Sequence, residues 1–136
     1  METETDFTIA ALRLEEKYTN VNNSELLDIL GIQSSPVVSI EELEINIRDY
    51  ILTNLGQTNN FIGPAVYALG KTYQEKYQSL FKSVMRQYFE IDLNSAYQAG
   101  IAIENLGVSI FRSISPLENP EVTKQRIMEF LENEST

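Results

Sequence analysis

The chain has 136 residues, 43% of them apolar, and a formal net charge of −10. This length supports one core shared by several helices, and the apolar share is too high for a disordered chain. The absence of histidine and cysteine excludes disulfides, thiolate chemistry and imidazole catalysis, and it removes the commonest transition-metal ligand; the acid excess argues against nucleic acid and anionic membranes, whose binding calls for Lys and Arg.

Residues 1–5 are polar and are expected to fray. Thr5 or Asp6 is placed to cap a helix running to about Tyr18, in which Phe7, Ala10, Ala11, Leu14 and Tyr18 recur at helical spacing. The stretch Thr19 to Ser24 is a loop by composition. Ser24 opens a short helix closed by Gly31. Its run of Leu26, Leu27, Ile29 and Leu30 leaves little polar face, so burial is expected.

Ser39 and Glu42 form a capping-box pattern that starts a helix to about Leu55, with Leu43, Ile47, Tyr50 and Ile51 as its core stripe. Glu41, Glu42 and Glu44 fall in the first turns, where the helix dipole favours negative charge. That accounts for the acidic cluster without a metal.

Pro64 suits a first helical position. From there to Phe89, Val66, Leu69, Tyr73, Tyr77, Phe81, Val84 and Tyr88 fall in one arc at 100° per residue, which predicts a long amphipathic helix over 64–89. Gly70 is the weakest residue inside it and the place for a kink. This stretch carries a net charge of +3, leaving −13 for the rest. Lys71, Lys82 and Arg86 mark a basic strip for a partner or for self-association. Tyr67, Tyr73, Tyr77 and Tyr88 superficially resemble a base-stacking platform, but the arc and the overall charge favour packed rings with hydroxyls at the core rim.

Asp92 or Asn94 caps the next helix, predicted over 93–114. Ala96, Gly100, Gly107 and Ile114 share one narrow band, where the helix at 64–89 is expected to cross closely. Glu104 lies off the polar face, between Gly100 and Phe111 on one side and Tyr97 and Val108 on the other. A carboxylate there must be paired, hydrogen-bonded, protonated or at an interface. Asn119, Pro120 and Glu121 start a last helix to about Glu132, and residues 133–136 are expected to fray.

No stretch alternates as a half-buried strand does. The expected fold is a single all-α domain over 1–136. It is a bundle of five or six helices around a long antiparallel hairpin of 64–89 and 93–114. No nucleotide loop, His-containing diiron pattern or paired-carboxylate spacing is present, so no enzyme, cofactor or metal site is expected. The start METETDFTIAAL lacks the basic and apolar run of a secretory signal, and no apolar run is long enough to span a bilayer, which points to the cytoplasm. The functional expectation is a non-catalytic acidic protein-interaction module of the adaptor, inhibitor or antidote type with a basic partner. The alternatives are a self-assembling subunit, making a homo-oligomer, or a helical domain holding a small apolar ligand. Lys71, Lys82, Arg86 and Glu104 are the candidate contact residues.

Overall fold

The computed structural model describes residues 3–29, 39–58, 60–111 and 120–134, and within them all regular structure is helical. The helices are α1 (Glu4–Thr19), α2 (Ser24–Ile29), α3 (Ile40–Asn54), α4 (Ile62–Gly70), α5 (Gln78–Tyr88), α6 (Leu93–Glu104) and α7 (Pro120–Glu134). A 3-10 turn, Glu75–Tyr77, leads into α5. Among these helices none is long and apolar enough to cross a membrane.

Helix α1 begins slightly earlier than its sequence suggests. Thr3 caps it, accepting from the Asp6 N–H at 3.2 Å, while the Asp6 carboxylate accepts from the Thr3 N–H at 3.1 Å. Residues 3–5 are therefore cap and first turn. Phe7, Ala10, Ala11 and Leu14 are buried, as their spacing implies. In α3 the Ser39 hydroxyl accepts from the Glu42 N–H at 3.2 Å, and Ile47 and Ile51 are fully buried. Pro120 occupies the first position of α7, whose Ile127 and Phe130 enter the core. Gly31 and Asn119, expected as helix stop and cap, lie outside the described residues.

The expected helix over 64–89 is divided. Helix α4 ends at Gly70, where the Lys71 and Thr72 N–H groups bond three residues back, to Ala68 and Leu69. The buried Thr72 hydroxyl also donates to the Leu69 carbonyl at 2.8 Å, and Tyr73 adopts a left-handed φ of 52°. The physical reason lies in α6. Gly63 faces Ser95 and Gly70 faces Ala102, so α4 runs alongside α6 in the same direction. Helix α5 then folds back along α6 through the turn at 89–92, with Met85 against Gly100. One straight helix cannot do both. The antiparallel hairpin is thus the shorter pair α5 and α6, with α4 alongside α6 on its other flank, α1 and α3 packed on α4, and α7 at the α5–α6 side.

The helix expected over 93–114 stops at Glu104. Gly107, at φ 98°, turns the chain out of the helix, and Ile110 and Phe111 come back onto the core. Residues 112–114 lie outside the described residues. The small residues of α6 also act differently from expectation. Ser95 and Ala102 receive α4, and an alanine Cβ at Gly100 would stand 2.7 Å from the Phe111 ring. Gly100 makes room chiefly for the returning segment, while Met85 of α5 meets it at an ordinary contact distance of 3.8 Å. Helix α2 differs most, because none of its residues is buried.

Candidate functional site

Glu44 is the one carboxylate of the fold's interior among the described residues, with 6% of its surface exposed. At 100° per residue it shares the inner side of α3 with Ile47 and Ile51. Its Oε1 accepts from the Tyr18 hydroxyl of α1, and its Oε2 accepts from the Tyr77 hydroxyl at the root of α5. Lys76 Nζ stands 3.4 Å from Oε2. Burial alone would push the carboxyl pKa up, but the two phenolic donors and the Lys76 cation outweigh it and hold Glu44 below the usual carboxylate range. Burial, followed by the neighbouring carboxylate, pushes both phenols up. The cluster therefore rests as one anion with two neutral phenols, tying α1, α3 and the start of α5 together. Each carboxylate oxygen is already engaged.

Sequence reading treats Glu44 as one of three acids serving the helix dipole. The structure separates them. Glu41 stays outside and pairs with Lys17 at 3.1 Å, Glu42 is exposed, and Glu44 turns inward. Its angle on the helix, beside Ile47 and Ile51, is the signal that could have found it.

A groove of about 460 Å³ opens next to the cluster, between α3 and α5. Arg48 and Leu52 line one wall, Lys76 and Tyr77 one end, and Leu80 and Ser83 the other wall. The Arg48 guanidinium rests on the Asp49 carboxylate at 2.9 Å, and both are largely exposed. A second, more polar cleft of about 270 Å³ lies where α1, α4 and α6 begin, bordered by Glu4, Thr8, Tyr67, Asn94 and Gln98.

The four residues singled out by sequence do not converge. Lys71 lies past the end of α4, half-buried, with its ammonium 3.3 Å from Glu15 and 5.0 Å from the Tyr67 ring centre. Burial opposes its charge, but Tyr67 and Glu15 prevail and raise its pKa. Glu15 is held below the usual range chiefly by a hydrogen bond from Asn23, against burial and with help from Lys71. Lys82 lies over the Phe130 ring of α7 at 5.9 Å, and Arg86 is exposed one turn further along α5. The break after Gly70 thus removes Lys71 from any strip shared with Lys82 and Arg86.

Glu104 closes the turn that follows α6. Its Oε1 accepts from the Ile110 N–H at 3.2 Å and the Phe111 N–H at 2.6 Å. Of the possibilities for an inward carboxylate, the structure realises hydrogen bonding, and both partners are backbone groups. The Tyr97 phenol is raised first by burial and then by this carboxylate. Of the tyrosines on 64–89, Tyr77 and Tyr88 are buried and Tyr67 and Tyr73 are exposed. Tyr88 donates from inside the core to the Asn54 and Gln57 carbonyls at 2.9 and 2.7 Å.

No protein-family model, curated protein or solved structure matches this chain.

Proposed function

We propose that this protein is a non-catalytic interaction module that binds a basic protein through the solvent face of α3. The observation carrying this reading is Ile45, 44% exposed, set among acids on the same face. Glu41 and Glu42 lie one turn before it and Asp49 one turn after. An exposed branched side chain beside Glu42, with Glu41 and Asp49 near it and shared with Lys17 and Arg48, fits a partner that presents an apolar knob ringed by Lys or Arg. The net charge of −10 adds long-range attraction for such a partner and speeds encounter. A non-catalytic role is supported by the state of Glu44, whose oxygens are committed to Tyr18, Tyr77 and Lys76 and hold elements together.

The test is affinity capture from the native host with the wild-type chain and with Glu42→Lys/Ile45→Lys, whose positions are exposed and leave the core intact. A basic protein retained by the wild type, released by added salt and lost with the variant supports the proposal. Capture indifferent to the α3 face, or of acidic proteins alone, overturns it.

A further inference from the structure

Helix α2 has six residues and buries none of them. Isolated helices shorter than about 12–15 residues are marginal in water, so a helix of this length calls for a covering surface. Its root is fixed. Asn23 Nδ2 donates to the Leu12 carbonyl and to Glu15 Oε1, both at 3.0 Å, and its N–H donates to Glu16 Oε2 at 3.1 Å. Beyond that root, α2 has no substantial packing against any other described helix. Leu26 is 50% exposed and Ile29 78% exposed, and they form an i, i+3 pair along one edge. Glu25 and Asp28, also exposed, form a second such pair along the adjoining edge.

The α3–α5 groove is the complement of this pattern. Its floor is apolar, from Leu52, 54% exposed, and Leu80. Its rim is cationic, from Arg48 and Lys76, whose side chains reach solvent although each has a carboxylate neighbour. Its volume of about 460 Å³ suits a pair of branched aliphatic side chains. The lining comes from α3, the 3-10 turn and α5, so the chain's own α2 does not fill it.

We infer that α2 of one copy docks into the α3–α5 groove of a second copy. Leu26 and Ile29 cover Leu52 and Leu80, and Glu25 and Asp28 meet Arg48 and Lys76. Every copy carries both halves of the contact, so association needs no other molecule. The apolar pairs supply the attraction, and the charges select the orientation of α2 in the groove. The inference goes beyond binding of a basic partner, because it uses a cationic surface and an acidic ligand segment.

Sedimentation of the full chain tests it, over a wide concentration range and at low and high salt. The expected result is a mass above that of one chain that rises with concentration. Leu26→Asp/Ile29→Asp abolishes this association while keeping the melting temperature that the wild type shows at dilutions where it is a single chain, since neither side chain is buried there. Glu25→Lys and Arg48→Glu each weaken association about tenfold, and combining them restores it to within about threefold of wild type. A single-chain mass at every concentration overturns the inference. So does association indifferent to the α2 substitutions, or a combined variant no tighter than its parents.

Discussion

Replacing Glu44 by glutamine perturbs the one interior carboxylate among the described residues while keeping the shape of the side chain. The glutamine oxygen still accepts from one phenol, but the carboxylate's hold on Tyr18, Tyr77 and Lys76 is lost. Hydrogen bonds to a charged group contribute about 1.5–3 kcal/mol each, against about 1 kcal/mol for neutral ones. The difference, over two phenols, gives an expected loss of about 1–4 kcal/mol for Glu44→Gln. Glu44→Ala, which strands both hydroxyls, is expected to cost about 3–5 kcal/mol. Against a total of about 5–15 kcal/mol for a domain, either loss is readily measured by urea unfolding.

The sign of the pH dependence follows from the depressed pKa. A carboxyl lowered in the folded state stabilises above its ordinary value of 4.5, and that contribution is lost as pH falls through the lower folded value. The gap between wild type and Glu44→Gln should be full at neutral pH and should narrow in acid below 4.5. A gap under about 0.5 kcal/mol at pH 7 would place the substitution among ordinary surface changes and refute the role given to this cluster. A gap that stays constant through the acid range would refute the ionised state of Glu44.

The phenols of Tyr18 and Tyr77 are raised, so their stabilisation is complete below the ordinary value of 10.0 and fades as pH climbs through the raised values. Spectrophotometric titration should show Tyr18, Tyr77 and Tyr97 ionising late, together with alkaline unfolding, and the first two earlier in Glu44→Gln; ordinary titration of all the tyrosines would contradict this. Gly100→Ala should cost about 1–3 kcal/mol, because the new methyl meets the Phe111 ring at 2.7 Å. Gly107→Ala has open space but a φ of 98°, so about 1 kcal/mol is expected from backbone strain alone; equal melting of both variants and wild type would remove the packing argument at Gly100 and the strain argument at Gly107. Glu104→Ala leaves the Ile110 and Phe111 N–H groups without their acceptor and should cost about 1–3 kcal/mol, with faster hydrogen exchange at those two amides. Glu104→Gln should be milder, and loss of partner binding with stability unchanged would show instead that Glu104 is a contact residue.

Much of this fold is legible in local pattern. Helical spacing of Phe7, Ala10, Ala11 and Leu14, the Ser39 cap and Pro120 at a first helical position place three helices correctly, because caps and stripes act within a turn or two of chain. The candidate site was less legible. Glu104 stands out in sequence by its angle among apolar residues, yet its acceptor role depends on a chain reversal seven residues later. Glu44 was hidden by its neighbours Glu41 and Glu42, since an acid early in a helix already has a local reason to be there. Lys71, Lys82 and Arg86 share a face only on an unbroken helix.

The sequence by itself determines the all-helical class, the apolar stripes and most helix starts, since propensity, capping and 3.6-residue spacing are properties of short stretches. Only the tertiary structure decides where helices stop. The arc from Val66 to Tyr88 continues smoothly through the point where α4 ends, because each half was patterned for the same core and periodicity carries no sign of direction. Packing on both flanks of α6 imposes the reversal at Thr72 and Tyr73, where one left-handed residue and a buried hydroxyl on the Leu69 carbonyl replace a helical turn. That reversal brings Tyr77 to Glu44 and Lys76 to the groove beside Arg48.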